Sequence, residues 1–579
     1  MPEVPAARQP PVLGNYALGR WVAPTSGLVA IPSALDGRVM AQASSAGLDF
    51  AAMARHARLT GGPALRAMTF PQRADLLKAL ATHLNGAKEA LYQLAFDTGA
   101  TRRDNSVDIE GGLGVLLAYA SRGRRELPSE HFVIDGDVEP LSKAGGFVGL
   151  HVRTPLHGVA VHINAFNSLN AAVLGPDVAP GAPEFDLFVR EVVREMTAKA
   201  GQKCTAIRRI FVPRAIEAAV IAALSAKLAD FIPADPRLEA TRTGALVSTA
   251  QAAAVRAAVA EIGDEVEIVH GSLGPSQGAF MAPALLRARD PANARRVHAV
   301  EPFGPVATVL AYDSLDEAIA LAAKAEGSLV ASLATYDADV AQAFVFGVAP
   351  YHGRLHILDR DCAKESTGHG APMPGLVHGG PGRAGGAEEL GGLRAVHRHL
   401  QTTALQGSPA RLAALTRRWM KGAPAPATPQ HPFRRHFEAL AIGDTVETAS
   451  RIVTLEDIEH FAAFTGDNFY AHMDEAAARA NPFFPGRVAH GYLLLSFAAG
   501  LFVDPAPGPL LANYGLDNLR FLKPVSPGDS LRVRLTVKQK QAARKPEYGE
   551  VRWDVELFNQ TGETVASYDL LTRSARGPL

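Results

Sequence analysis

Cysteine is almost absent from this chain of 579 residues: Cys204 and Cys362 are the only two. Two thiols cannot build a disulfide framework, so a reducing cytoplasm is the expected home. An excess of one charge is missing too. Lys and Arg together number 58, and so do Asp and Glu, which leaves no global field to draw nucleic acid or a membrane surface. Nor is there a long apolar run. The longest, Gly491 to Val503, falls far short of the roughly 20 residues that cross a bilayer. The start, Met1-Pro2-Glu3-Val4-Pro5, has neither a basic stretch nor an apolar core and does not read as a signal peptide. What remains is an ordinary globular composition, 47% hydrophobic and 20% charged. Such a length exceeds one core, and about 150 residues per domain predicts three or four folding units.

The clearest boundary is residues 421–432, where Ala and Pro alternate. Such a stretch holds neither helix nor ladder and reads as a semi-rigid linker. It leaves about 420 residues before it and about 150 after it, the latter the size of one domain. The first part reads as α/β. Helical spacing runs from Pro71 to Leu84 and again through Leu91, Leu94 and Ala95. Residues 158–163 and 207–212 read as buried strands, and Ala-rich helices are expected at 214–230 and 249–262. That alternation implies a mostly parallel sheet covered by helices. The last part predicts helices at 455–464, 473–480 and 487–503. Strands are then expected at 510–521, 530–541, 548–559 and 563–571, with a turn at Asn559–Gly562. One apolar helix and several antiparallel strands make an α+β domain.

Chemistry concentrates in Gly466-Asp467-Asn468-Phe469-Tyr470-Ala471-His472-Met473-Asp474 and in Ala489-His490-Gly491. Asp467 and His472 stand five positions apart on a short segment. A carboxylate beside a neutral imidazole can hold one water and take its proton. For an isolated pair, a helix cap or a surface contact is the simpler reading. The pattern is wider than a pair, however. It includes Phe461 to Asn468, Met473-Asp474, Phe483-Phe484, Val488 to Leu493, Leu519 to Val525 and Pro527-Gly528-Asp529. On these segments the domain resembles the MaoC-like, (R)-specific enoyl-CoA hydratases of the hot-dog fold. The resemblance implies that Asp467 and His472 activate water for attack on the carbon β to a CoA thioester, with Asn468 at the substrate. Gly491, at the start of the apolar helix, would offer a backbone N–H, backed by the helix dipole, to the enolate oxygen. Phe469 departs from the pattern, which has Pro there in many members.

In the first part, Gly201-Gln202-Lys203-Cys204-Thr205-Ala206 resembles the nucleophile segment of aldehyde dehydrogenases. Glu301-Pro302-Phe303-Gly304-Pro305-Val306 resembles the segment that holds the nicotinamide ribose, which implies cofactor-binding roles for Glu301 and Phe303. His162 to Asn167 resembles the segment whose last Asn donates to the oxyanion, a role that falls to Asn167. The spacing departs from that family. Asn167 and Cys204 are 37 positions apart, where the family has longer intervening chain by on the order of a hundred residues, about a nucleotide-binding half-domain. That stretch carries the Lys for the adenosine ribose, the Gly-rich turn and the Glu that activates the deacylating water. No Glu lies between Asn167 and Pro183. Glu184, Glu191 and Glu195 follow on an expected helix at 184–199, whose apolar face is Phe185, Phe188, Val189, Val192 and Met196. Period 3.6 places these carboxylates on the solvent side.

In order, the two resemblances, with Thr154 to Val159, His378 to Gly386 and Glu388 to Gly392, match bifunctional ring-opening enzymes of bacterial phenylacetate degradation. Those fuse an aldehyde dehydrogenase to a MaoC-like hydratase. The resemblance implies hydration of oxepin-CoA, ring opening to an aldehyde, oxidation with NADP, and a homo-hexamer. The missing block points to retained hydration and lost oxidation. A fully bifunctional enzyme and a first part that serves only as an assembly scaffold are the alternatives. Arg520, Lys523, Lys538, Lys540, Arg544 and Lys545 read as a solvated strand face, with the CoA phosphates as the other option.

Overall fold

The structure, a computed structural model, describes residues 9–161, 168–274, 277–385, 391–542 and 547–577. Of the residues singled out above, Met1 to Pro5, Asn167 with the rest of 162–167, Gly386, Glu388 to Leu390, Arg544 and Lys545 lie outside them. By its contacts the chain forms two units. One comprises Met1–Leu127 and Pro155–Gln401, the other Pro128–Thr154 and Thr402–Leu579.

The first unit is built on a seven-stranded sheet. Its strands are β1 (Asn170–Leu174), β2 (Ile207–Pro213), β3 (Val266–His270), β4 (Ala284–Ala288), β5 (Val306–Tyr312), β6 (Ser328–Ala334) and β7 (His352–Leu358). The order is β7-β6-β1-β2-β5-β4-β3, parallel throughout except that β3 runs against β4. Alternate residues of one strand feed two cores. Val173 and Phe211 pack on one face, Leu174, Ile210 and Val212 on the other. Strands buried on both faces read as continuous apolar runs, which is why this α/β class was legible in the sequence. Residues 158–161 form no strand, and the remainder of that expected strand lies outside the described residues.

The helix Pro183–Thr197 corrects the reading of its carboxylates. Its apolar side packs on the sheet through Phe185, Phe188, Val189, Val192 and Met196. Its other side is also covered: Glu184 and Glu195 are each 1% exposed. Glu184 pairs with Arg360, which holds its carboxyl down at about 2. Glu195 pairs with Lys203 at 2.7 Å. Glu191 accepts the backbone N–H of His369 at 2.5 Å and pairs with Arg194; burial nonetheless pushes its carboxyl up. Helical periodicity reports that two faces differ. It does not report that a second layer, residues 360–370, covers the polar one.

The second unit is antiparallel. Its strands are β8 (Thr445–Glu447), β9 (Arg451–Ile452), β10 (Leu510–Phe521), β11 (Ser530–Ala542), β12 (Tyr548–Phe558) and β13 (Thr564–Ala575). They pair in the order β8-β11-β12-β13-β10, with β9 also on β11. The helix Gly491–Phe502 lies against them as a hot-dog core. Leu493, Leu494, Phe497, Ala498 and Phe502 meet Val533, Leu535, Val551, Trp553 and Val555. On alternate positions the opposite face carries charge. Asp569, 2% exposed, joins Lys538 at 2.6 Å and Arg552 at 2.9 Å. Lys538 is therefore paired rather than solvated, and Lys523 pairs with Glu563. Residues 128–154 and 402–420, which the linear reading places in the first part, pack in this unit. Val148, Leu150 and Val152 cluster with Leu412, Trp419 and Met420. The Ala/Pro segment is docked as well: the Nε1–H of Trp419 donates to Pro424 O at 3.1 Å, and Thr445 N–H to Pro426 O at 3.1 Å.

Candidate active site

The second unit holds the site around the entrance of its central helix. The helix Leu455–Thr465 starts on a Thr454–Asp457 capping box and stops at Gly466, whose φ of 81° turns the chain sharply. Asp467 and Asn468 follow in the exposed turn. Phe469 then opens the short helix Tyr470–Met473 with φ −57°, a value within the range proline imposes. The substitution thus preserves the turn. It also supplies an N–H that proline lacks, 3.4 Å from Asp467 Oδ1.

His472 sits half-buried on that helix. Its Nδ1–H donates to Val488 O at 2.7 Å. This assigns the neutral tautomer with Nε2 as the free lone pair, the arrangement a general base requires. Burial lowers its basicity below the ordinary imidazole value. The Val488 bond and the Asp467 charge oppose that shift, and His490 adds to it. The carbonyl of Val488 is itself fixed, because its N–H donates to Ala471 O at 3.0 Å and the next N–H, of Ala489, to Val525 O at 2.8 Å.

His490, 1% exposed, completes the group. One nitrogen from each ring and one oxygen of Asp467 lie within 4.8 Å of one another. The two imidazoles stack with centroids 3.7 Å apart and planes at 27°. Stacked rings aim their in-plane lone pairs side by side rather than at one point, so the set suits a held water better than a metal ion. Gly491 follows as the first residue of the central helix, where backbone N–H groups have no intrahelical partner. A Cβ there would come within 2.6 Å of the Phe521 ring, so a larger residue would have to displace that ring from the helix start. The sequence reading placed Asp467, Asn468, His472 and Gly491 in one site, and the fold brings them to one helix entrance. It gave His490, Val488 and Phe521 no role. The available signal was an imidazole at the position before a helix, where Ser, Thr, Asp or Asn is usual.

In the first unit, Cys204 follows a tight turn. Lys199, Ala200 and Gly201 all have positive φ, of 52°, 49° and 70°, and a Cβ on Gly201 would meet Gly304 O at 2.2 Å. The turn therefore seats Cys204 near the Glu301–Pro305 loop. A thiolate there would act on the buried Arg208 and on Arg354. Glu301 is engaged already. Its Oε1 accepts from Arg208 Nε at 3.1 Å and its Oε2 from Ser168 N–H at 2.9 Å. Arg208 also lies over the Phe303 ring at 5.4 Å. Each oxygen of the carboxylate that the resemblance assigns to a nicotinamide ribose thus already accepts one N–H. Glu184, Glu191 and Glu195 are each held in an ion pair. Asn167 lies outside the described residues.

Comparison with known proteins covers both units. The profile of the aldehyde dehydrogenase family matches in two pieces, residues 21–182 and 176–391, and the MaoC like domain matches residues 437–557. A protein of Klebsiella aerogenes called Protein MaoC is 48% identical over 300 residues, 51% of this chain and 89% of its own length. A 3,4-dehydroadipyl-CoA semialdehyde dehydrogenase of Aromatoleum evansii is 33% identical over 478 residues, 64% of this chain and 93% of its own length. Those 478 aligned positions against 64% of a 579-residue chain leave about a hundred positions of the relative without a counterpart here. Among solved structures, a lactaldehyde dehydrogenase superposes with a TM-score of 0.58 at 16% identity, covering 69% of this chain and all of its own. That likeness is one of fold.

Proposed function

Because this chain belongs to the aldehyde dehydrogenase family and carries a MaoC-like domain after it, we propose that it is a CoA-thioester hydratase. Its working site is the Asp467–His472 pair, and its dehydrogenase region does not turn over. The observation that carries this reading is the 2.7 Å bond from His472 Nδ1–H to Val488 O, which leaves Nε2 free to take a proton. The substrate is an enol ether or enoyl group conjugated to a CoA thioester, of the oxepin-CoA kind. The Aromatoleum evansii relative, named for a CoA semialdehyde, supports a CoA-bound acyl group.

Water held by Asp467 loses a proton to His472 Nε2 and attacks the β-carbon. Charge moves to the thioester oxygen, where the Gly491 N–H meets it. The imidazolium returns the proton to the α-carbon. With a cyclic enol ether of this kind the carbon attacked bears the ring oxygen, so the adduct is a hemiketal; its ring C–O bond breaks to leave a ketone at that carbon, and the vinyl oxygen departs as an enol that tautomerises to an aldehyde. We infer no oxidation step, because the sequence lacks the block that carries the family's nucleotide cradle and its catalytic Glu, and Glu184, Glu191 and Glu195 are held in pairs.

We read the assembly as a homo-oligomer, a hexamer by resemblance, with a cytoplasmic home. The test of the function is spectrophotometric. The full chain is expected to remove the conjugated absorbance of a short enoyl-CoA, and to form no NADPH from NADP and a short aldehyde. NADPH formation that disappears in Cys204→Ala would overturn the second half of the reading.

A further inference from the structure

We propose that His490 is a positioning residue of the hydratase site, which ties the Asp467 turn to the His472 ring and keeps that ring in its proton-accepting state. The inference deepens the hydratase reading and rests on it. Four observations carry it. His490 occupies the cap position of the central helix, yet its side chain makes no capping hydrogen bond. Its Nε2–H instead reaches back to the main-chain oxygen of Asp467 at 2.9 Å. Its ring covers one face of His472 at 3.7 Å, and Phe461 tilts against it at 5.0 Å and 53°. Finally, its Nδ1 is buried with no partner among the described residues.

The consequences follow from the tautomer. A carbonyl can only accept, so Nε2 carries the N–H that reaches Asp467, and the buried Nδ1 has nothing to bond to among the described residues. One side chain then fixes both halves of the pair: the turn through a hydrogen bond, the base through a ring face that blocks rotation about its side-chain torsions. A stacked neighbour also excludes water from that face, and desolvation disfavours the imidazolium. The charged and titratable groups facing His472 are Asp467, His490 and Arg487, whose Nε donates to His472 O at 2.6 Å. Arg487 in turn contacts Glu459 and Glu475. The guanidinium of Arg487 pairs with Glu459 and its main-chain N–H with Glu475, and its contact with His472 is to the main-chain oxygen, so the stack is the side-chain contact made by the imidazole ring itself.

Two substitutions separate the two ties. His490→Gln keeps an N–H donor at the same reach and loses the ring. His490→Phe keeps the ring and loses the donor. The readouts are the titration of His472 in the full chain, followed by its ring ¹⁵N signals, and the pH profile of kcat with crotonyl-CoA. In His490→Gln, His472 is expected to titrate at higher pH than in the parent, with the acid limb of kcat moving alongside it. In His490→Phe the titration stays near the parent's while kcat falls at least tenfold and KM changes less than threefold. Unchanged titration in the Gln variant, or parental kcat in the Phe variant, overturns the proposal. A parent that hydrates no enoyl-CoA sinks the hydratase reading instead, and the titration alone still decides whether His490 governs the state of His472.

Discussion

The carbonyl of Val488 holds the Nδ1–H of His472 at 2.7 Å, and this contact joins the two halves of the site. Val488 lies at the approach to the central helix, His472 on the short helix after the Asp467 turn. A backbone acceptor has no protonation state of its own, so it fixes the tautomer across the working pH range. Burial then lowers the basicity of the ring below the ordinary imidazole value. A base of lowered basicity stays neutral to lower pH, so hydration is expected to hold through neutrality and to fail only below the ordinary imidazole range. An acid limb at or above about 6.5, the unperturbed value, in a pH profile of kcat would contradict this.

Gly491→Ala is expected to impair hydration tenfold or more. The new methyl group would stand 2.6 Å from the Phe521 ring and would push apart the helix start and strand β10. Adding Phe521→Ala opens that space. Recovery of kcat in the double variant supports the steric account, and an equally slow double variant sinks it.

Phe469→Pro tests the departure from the family pattern. The native φ of −57° already suits proline, so the turn is kept while the N–H near Asp467 is lost. Hydration is expected to stay within about fivefold, since a single long, solvent-exposed bond to the Asp467 carboxylate contributes about 1 kcal/mol. A hundredfold loss would mean that this N–H orients the carboxylate.

Asp554 gives the hot-dog sheet a pH dependence. Burial pushes its carboxyl from 3.8 up to about 6, with Glu556 and Asp569 adding to the shift and Lys538 opposing it. A raised folded value means that the protonated form favours folding. That stability is present below the unfolded value and is lost as pH rises through about 6. Asp554→Asn is therefore expected to gain on the parent between pH 5 and pH 7.5, by about 1–2 kcal/mol at the upper end. Thermal melts at both pH values check this, and a variant that loses ground as pH rises contradicts it.

Lys203→Met should destabilise the first unit by about 2–3 kcal/mol, because it leaves the buried Glu195 carboxylate with only the longer Arg194 contact at 3.7 Å. The added change Glu195→Gln removes the under-compensated charge and should recover most of the melting temperature. Hydration should be unaffected in both. Equal loss in single and double variants would show that the lysine acts through packing alone.

The sequence was most legible where periodicity and burial coincide. Strands β10 to β13 fall within a few residues of their expected ranges because their inward residues, such as Val551, Trp553 and Val555, alternate with Arg552 and Asp554. The pair Asp467 and His472 was legible as a pattern of residue types at short range. Long-range pairing was not. Nothing local says that Glu195 meets Lys203 under a second layer, or that the Ala/Pro segment docks through Pro424 and Pro426. Nor does spacing reveal that His490 turns its ring to His472 rather than capping its own helix.

The most direct test of the account is the initial rate of crotonyl-CoA hydration by the full chain, beside Asp467→Asn and His472→Ala. The parent is expected to turn over, and each variant to lose about 10²–10⁴-fold in kcat, the range general acid–base groups supply. Variants that hydrate as fast as the parent would contradict the assignment of this pair as the working site.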